Sequence, residues 1–214
     1  MEYKNSEDFA KAVHSALKLE VPYQERDVRP SKLRPKPKKI TPASVLAIFG
    51  FYEGKKTPFL LLTQRTQSVE THKGQVAFPG GACDPEDRLQ PDSEIYTALR
   101  ETEEEIGIQP TDLRILGKLP QVQVLVSGFS VTPVMGLLKT PIEKTAPCIN
   151  PDEIETIFWI SLNDLLKPEN YKVEWFSVKE VQYSTPVFTI GEHYIWGATG
   201  ILIKNIVDRL KQTR

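Results

Sequence analysis

The chain has 214 residues, of which 40% are hydrophobic and 26% are charged, and its formal net charge at pH 7 is −1. This length and composition fit one globular domain with additions, and the balanced charge excludes the strong basic excess typical of proteins that bind nucleic acids or anionic membranes. The two cysteines, Cys83 and Cys148, form neither a disulfide framework nor a CxxC metal site, and no apolar run approaches the roughly 18 residues of a membrane helix. We therefore expect a cytoplasmic protein, either a monomer or a homodimer, with neither nucleic acid nor a membrane as its partner.

The first predicted element is a short amphipathic helix over residues 6 to 19, in which Phe9, Val13 and Leu17 recur every fourth residue. We expect this helix to pack on the main body of the protein. Residues 22 to 42 combine five prolines with seven basic side chains, which favours an extended connector. The connector is either a solvated linker or a basic strap that contacts substrate phosphates. The predicted organisation is therefore an N-terminal region over 1–42 and a folded domain over 43–214.

From residue 43 onward the pattern is that of a folded domain. Two short apolar runs, 45–49 and 59–62, flank a turn at Gly54, as expected for paired strands. Residues 93–106 form a charged helix that ends at Gly107, because glycine tolerates the positive φ of a helix C-terminal cap. The remaining predicted elements are strands at 113–126, 129–138, 154–160 and 181–190 and a helix at 198–212. Short strands with one central and one terminal helix predict the α/β class, with a mixed sheet covered on its faces by helices.

The central predicted helix carries a cluster of acidic side chains. Glu101, Glu104 and Glu105 share one face, and Arg100 can reach Glu104 one turn further on. Like charges this close repel one another unless a cation neutralises them, and carboxylate oxygens suit Mg²⁺ or Mn²⁺. The alternative is a solvated acidic face, as most charged helices have. The glycine pair at 80–81, which follows a short strand and leaves room for a ligand, favours the metal site.

This segment resembles the Nudix family, whose box reads G-x5-E-x7-R-E-U-x-E-E-x-G-U, where U is a bulky aliphatic residue. The matching positions are Gly81, Arg100, Glu101, Glu104, Glu105, Gly107 and Ile108. The gap between the first glycine and the arginine is five residues longer than in the box, and Thr102 stands in an aliphatic place. We expect the additional residues to form a surface loop over 84–92. The box glutamate is then replaced by Asp92, by Glu94 or by no residue.

The resemblance implies a Nudix-type α/β/α sandwich with a mixed sheet, and hydrolysis of a phosphoric anhydride with Mg²⁺, or Mn²⁺, as cofactor. It implies that Glu101 and Glu105 are direct metal ligands and that Glu104 is a ligand directly or through water. Arg100 would hold the glutamates in place, and the Gly81 carbonyl would add one ligand. The sequence contains neither a G-x-S-x-G elbow nor a phosphate-binding P-loop, which disfavours serine hydrolases and P-loop enzymes.

The segment from Leu61 to Gly81 is similar to the signature of the coenzyme A pyrophosphatase branch, L-L-T-x-R-S-x3-R-x3-G-x3-F-P-G-G, without a gap. Thr66 stands in place of its serine and Glu70 in place of its second arginine. The similarity implies hydrolysis of coenzyme A or acyl-coenzyme A to 3′,5′-ADP and (acyl) 4′-phosphopantetheine, with Arg65, Thr66 and Gly80 as substrate-binding residues. An ADP-ribose or nucleotide-sugar pyrophosphatase is the alternative that Glu70 favours. A non-catalytic module that binds a nucleotide or RNA is a further alternative.

Three more residues have both a functional and a structural interpretation. Glu153 is either a metal ligand or general base, or a cap in the turn Asn150-Pro151-Asp152-Glu153. His193 either titrates near neutral pH or is structural. Trp196 either covers a substrate pocket or fills the core, and the core is the simpler interpretation.

Overall fold

The computed structural model describes residues 1–20, 40–67, 74–124, 128–178 and 181–213. Most of the predicted connector, together with Glu70, lies outside the described residues. The helices are α1 (Ser6–Leu17), α2 (Ser93–Ile106), α3 (Leu162–Leu166) and α4 (Gly197–Lys211). The strands are β1 (Thr41–Gly50), β2 (Phe59–Arg65), β3 (Val76–Ala77), β4 (Gly80–Ala82), β5 (Leu113–Lys118), β6 (Val122–Val124), β7 (Phe129–Leu138), β8 (Ile154–Ser161), β9 (Tyr171–Val178), β10 (Val181–Ile190) and β11 (His193–Ile195).

Eight of these strands form the main sheet, in which β1 and β7 run parallel and the other pairs are antiparallel. The predicted mixed sheet is therefore confirmed. β1 and β2 pair with each other only where β1 ends and β2 begins. Near its end β2 pairs with β3, and near its beginning β1 pairs with β4. The short segment that carries the glycine pair is thus held between the two strands at the point where they diverge.

Apolar side chains cover both faces of the main sheet. On one face, Leu46 and Ile48 of β1 pack in a buried cluster with Ala98 and Ile106 of α2. On the other face, Phe49 belongs to a larger cluster that also contains side chains of α1 and α4. Helices therefore lie on both sides of the sheet, as the α/β prediction requires.

Helix α1 packs on the main body, as the spacing of its apolar residues predicts. Phe9 is fully buried, and its ring lies 4.9 Å from the ring of Phe49 between centroids. The helix ends at Leu17, two residues earlier than predicted. The buried guanidinium of Arg209 in α4 donates from Nη1 to the carbonyls of Ala16 and Leu19, so α4 holds the end of α1 in place.

A second sheet of three strands, β9, β10 and β11, packs beside α4. The sequence predicts β10 with its observed bounds but misses β9 and β11. β9 is an edge strand in which Val173 and Trp175 are exposed, so it lacks the apolar run that predicts the other strands. None of the helices in the described part of the chain is long and apolar enough to cross a membrane.

Candidate active site

The glycine pair begins β4 directly after a bend at Pro79, and this segment from Pro79 to Gly81 (the bend) lies directly against β1. Gly80 has a φ of 144°, and a Cβ atom on it would lie 2.6 Å from the Cα of Val45. A side chain at this position would be both strained and in steric conflict, which explains the glycine. The pairing of Gly80 with Val45 and of Gly81 with Ser44 holds the bend under α2.

Glu105 is the most deeply buried member of the acidic cluster, with 2% of its surface exposed. Its Oε2 accepts a hydrogen bond from the Gly80 N–H at 3.1 Å, and its Oε1 accepts one from Arg65 Nη1 at 2.9 Å. Burial raises the pKa of Glu105 to about 7, although the Gly80 N–H and the Arg65 charge act to lower it. The negative charges of Glu101 and Glu153 raise this pKa further. A buried carboxylate of this kind is stabilised by additional positive charge nearby.

Glu101 lies on the bend beside Glu105. A Cβ atom on Gly81 would stand 2.5 Å from its Cδ and 2.7 Å from its Oε1. Burial is the main cause that raises the pKa of Glu101, and the charges of Glu104 and Glu153 add to it, whereas Arg100 lowers it. Glu104 is more exposed, and its Oε2 accepts a hydrogen bond from Arg100 Nη1 at 2.8 Å. Glu101 and Glu105 therefore face the bend, and Glu104 lies at the rim.

Arg100 is held by a carboxylate that sequence reasoning did not select. Its Nε and Nη2 donate to the two oxygens of Asp87 at 3.0 and 2.9 Å, a bidentate contact. Asp87 is 1% exposed and also accepts from Thr97 Oγ1 at 2.9 Å and from the Asp84 N–H at 3.1 Å. Asp87 thus connects the loop after the bend to α2 and orients the arginine toward Glu101 and Glu104.

For the place of the box glutamate the sequence leaves Asp92, Glu94 or no residue as alternatives, and in the described structure neither carboxylate pairs with Arg100. Both carboxylates pair instead with Lys118 of β5, at 2.8 and 3.2 Å. Counting back from Arg100 by the spacing of the box selects Asp92, which is correct only if the additional residues precede the acidic position. Counting forward from Gly81 selects Asp87, which stands six positions on, as the glutamate of the box does. The additional residues therefore lie between Asp87 and the start of α2.

The turn that contains Glu153 lies against the end of α2. The Asn150 N–H donates to the Glu105 carbonyl at 2.8 Å, and the Thr66 N–H donates to the Glu153 carbonyl at 2.9 Å. Thr66 Oγ1 also donates to the Asp152 carbonyl at 3.1 Å, so the threonine connects β2 to this turn. The Glu153 carboxylate lies 3.7 Å from Arg65 Nη2, which places it beside the acidic cluster.

The donor set of this site fits a hard divalent cation, although the side chains are not gathered around one point. Within the described residues, no three His, Cys, Asp or Glu side chains form a group that holds a metal ion. Arg65 and Arg100 pair with Glu105 and Glu101 instead. The mutually repelling carboxylates are oxygen donors of the kind that Mg²⁺ and Mn²⁺ prefer, and the missing side chain of Gly81 leaves room for Glu101.

Substitution of Gly81 by alanine is expected to weaken Mn²⁺ binding by roughly 10- to 100-fold, because the new methyl group would displace the Glu101 carboxylate. Electron paramagnetic resonance of free Mn²⁺ during a titration measures this change. Gly136→Ala is the matched control, since a Cβ atom there meets nothing closer than 3.4 Å. Equal Mn²⁺ affinity in both variants would indicate that Glu101 is not a metal ligand.

A family model and sequence relatives identify the family of this chain. The NUDIX domain model matches residues 41–189, a span that includes the bend and all of α2. The Nudix hydrolase NudL of Photorhabdus laumondii is 36% identical over 157 residues, which cover 73% of this chain and 80% of that protein. NudL of Pectobacterium atrosepticum is 38% identical over 150 residues, covering 70% and 74%. Among solved structures, a MutT/nudix family protein from Enterococcus faecalis aligns with a TM-score of 0.49 and 16% identity, over 85% of this chain and 66% of that one. An Ap4A hydrolase from C. elegans, solved as a binary complex, aligns with a TM-score of 0.45 and 26% identity, over 59% and 84%.

Proposed function

The chain belongs to the Nudix hydrolase family, and on this basis we propose that it hydrolyses the pyrophosphate bond of coenzyme A or an acyl-coenzyme A. The products are 3′,5′-ADP and (acyl) 4′-phosphopantetheine. Nudix hydrolases act as pyrophosphatases on nucleoside diphosphate derivatives and generally use divalent metal ions. Coenzyme A is such a derivative, and the segment from Leu61 to Gly81 is the reason for preferring it.

The proposal depends on where the segment similar to the coenzyme A branch lies. This segment runs from β2 to the bend, and residues near both of its ends contact the acidic cluster. Arg65 donates to Oε1 of Glu105, and the Gly80 N–H donates to Oε2 of the same carboxylate. Residues of the branch signature therefore lie directly beside the carboxylates of the Nudix box, which is where a segment that selects the substrate would have to lie.

In this proposal Glu101 and Glu105 hold Mg²⁺, or alternatively Mn²⁺, with Glu104 and the Gly81 carbonyl as further ligands. A bound divalent ion offsets phosphate charge and lowers the pKa of the attacking water. Two cysteines without a disulfide, Cys83 and Cys148, are consistent with the cytoplasm as the compartment that we propose.

The other residues of the site bind the substrate phosphates, orient the carboxylates or accept a proton. Arg100, fixed by Asp87, orients Glu101 and Glu104 through its other hydrogen bonds. Arg65 is partly exposed and can turn from Glu105 toward a phosphate, which its planar guanidinium binds through two hydrogen bonds. Glu153 lies beside Arg65 and is 43% exposed, so its carboxylate is available to accept a proton from the attacking water. Thr66 connects the turn that contains Glu153 to the end of β2. It therefore contributes to substrate binding by positioning its neighbour Arg65.

ADP-ribose or a nucleotide sugar is the second candidate substrate. It is favoured by Glu70, which replaces the second arginine of the branch signature with the opposite charge. Loss of a charge-assisted hydrogen bond of roughly 1.5–3 kcal/mol would weaken the binding of an additional phosphate such as the 3′-phosphate of coenzyme A. The non-catalytic alternative has less support, because a binding module does not require a cluster of repelling carboxylates.

The proposed function is tested by supplying the purified protein with Mg²⁺ and coenzyme A, ADP-ribose, NADH or a nucleotide sugar, and identifying products by mass. We expect coenzyme A to give the highest kcat/KM, with 3′,5′-ADP and 4′-phosphopantetheine as products. A preference for ADP-ribose with coenzyme A almost untouched would refute the substrate assignment. Absence of turnover with all four compounds would support the non-catalytic module.

A further inference from the structure

A cavity of about 480 Å³ lies beside the end of β2, lined by side chains of the main sheet and of β11. Gln64 and Val76 line it from the main sheet, and His193 and Trp196 line it from the segment that leads into α4. Its volume is in the range of cavities that hold small molecules. Neither the Nudix box nor the acidic cluster contributes a residue to its walls.

The two aromatic rings of the cavity are each stacked on a second ring. His193 stacks on Phe158 with 3.6 Å between centroids and an interplanar angle of 1°. Trp196 stacks on Phe176 with 4.7 Å between centroids and an angle of 9°. Each lining ring is thus supported on one face, which limits the rotational freedom that it loses when a ligand binds. Two flat, supported rings favour a flat ligand, because stacking requires a ligand with a π face of its own.

A polar side chain complements the rings. Gln64 lines the same cavity, and in the part of the chain that the structure describes, no side-chain hydrogen bond involves its carboxamide. A carboxamide offers one acceptor and an NH₂ donor in one plane. This is the pattern that pairs with the exposed edge of adenine, at N6 and N7.

The cavity lies next to the acidic cluster in the chain and in space. Gln64 and Arg65 are neighbours on β2, at the point where the pairing of β2 with β8 shifts register, and their Cα atoms are about 3.8 Å apart. Arg65 contacts Glu105, whereas Gln64 lines the cavity. The end of β2 therefore contributes one residue to the cavity and the next residue to the acidic cluster.

We propose that this cavity binds the purine ring of the nucleotide substrate, stacked on His193 and Trp196 and hydrogen-bonded to Gln64. The inference rests on the proposed function, since it takes the substrate to be an adenine nucleotide derivative. The pantetheine arm of coenzyme A fits this cavity less well, because a flexible chain loses conformational freedom there and gains no stacking. The assignment changes the interpretation of Trp196, for which core packing was the simpler expectation.

Trp196 provides a test that does not depend on hydrolysis. With metal removed by EDTA, 3′,5′-ADP is expected to quench tryptophan fluorescence in the unmodified protein, and ribose 5-phosphate is not. Trp196→Phe, which keeps a ring against Phe176, should lose this quenching, and Trp175→Phe, a substitution at an exposed site on β9, should retain it. Equal quenching in the Trp196→Phe variant, or by ribose 5-phosphate, would overturn the proposal.

A kinetic measurement separates this inference from the proposed function. Gln64→Ala and Trp196→Ala are expected to raise KM for coenzyme A by roughly 10-fold and to lower kcat less, since loss of a base stack weakens binding by at least this factor. Gln109→Ala, at an exposed site near Gly107, is the control. If coenzyme A is hydrolysed but both cavity variants keep the original KM, the cavity assignment fails and the function stands. If 3′,5′-ADP quenches Trp196 but no substrate turns over, the function fails and the cavity assignment stands.

Discussion

Substitution of Glu105 by glutamine is expected to lower kcat by about 1,000-fold and to leave the melting temperature nearly unchanged. The carboxylate charge is required for metal ligation, and metal ions supply several kcal/mol of transition-state stabilisation, of which about 4 kcal/mol corresponds to this factor. Glutamine retains the shape of the side chain and an oxygen that accepts from the Gly80 N–H. Its NH₂ group cannot accept from Arg65, but this guanidinium is partly exposed and also lies near Glu153, so it keeps other partners. Burial of the Glu105 charge disfavours the ionised form, so neutralisation removes a cost from the folded state.

The matched control for this prediction is Glu103→Gln on the same helix. Glu103 is exposed, whereas Glu105 is buried against the bend, so the control removes an equal charge from a different face of α2. Activity on the preferred substrate and thermal unfolding should be measured for both variants. If Glu105→Gln loses stability and turnover together, Glu105 serves the fold and the metal site must be sought elsewhere.

Substitution of Asp87 by alanine is expected to destabilise the protein by about 3 kcal/mol, the cost of breaking a buried ion pair. Asp87 accepts hydrogen bonds from Arg100, Thr97 and the Asp84 backbone. Its removal leaves one side of the arginine without its buried acceptor, whereas the Thr97 hydroxyl can still donate to the Ser93 carbonyl. Because Arg100 also donates to Glu101 and Glu104, we expect a loss of activity to accompany the loss of stability.

Urea unfolding measures this change, and Glu86→Ala is the control because Glu86 is the exposed neighbour of Asp87. The Arg100 hydrogen bond lowers the pKa of Asp87 from its ordinary value of 3.8. A lowered pKa in the folded state means that the ionised carboxylate stabilises the fold above pH 3.8, and that this stabilisation is lost as the pH falls through the lowered value. The difference between the unmodified protein and Asp87→Asn should therefore shrink as the solution is acidified below about pH 4. A difference that stays constant over this range would indicate that the charge of Asp87 has no part in stabilisation.

Local patterns in the sequence predict much of this fold. α2, β7 and β10 have the bounds that periodicity and turn residues indicate, because the residues that favour these elements are adjacent in the chain. The relation between Glu101 and Glu105 is local in the same sense, since positions four apart share a helix face. The family assignment also depends on local spacing, and the comparisons confirm it. The sequence by itself therefore determined the α/β class, the family and the acidic face of α2.

The tertiary structure decided which of these residues meet. Arg65 and Glu105 are 40 positions apart and meet only because β2 and α2 pack together at the bend. Asp87 was missed because the position of an insertion relative to a motif residue has no local signal, whereas a buried bidentate contact identifies it directly. The cavity is lined by Gln64 of β2 and by a segment more than a hundred residues later in the chain, and only folding brings the two together. Local propensity acts over neighbouring residues, and contacts between distant residues depend on the packing of the whole sheet and its helices.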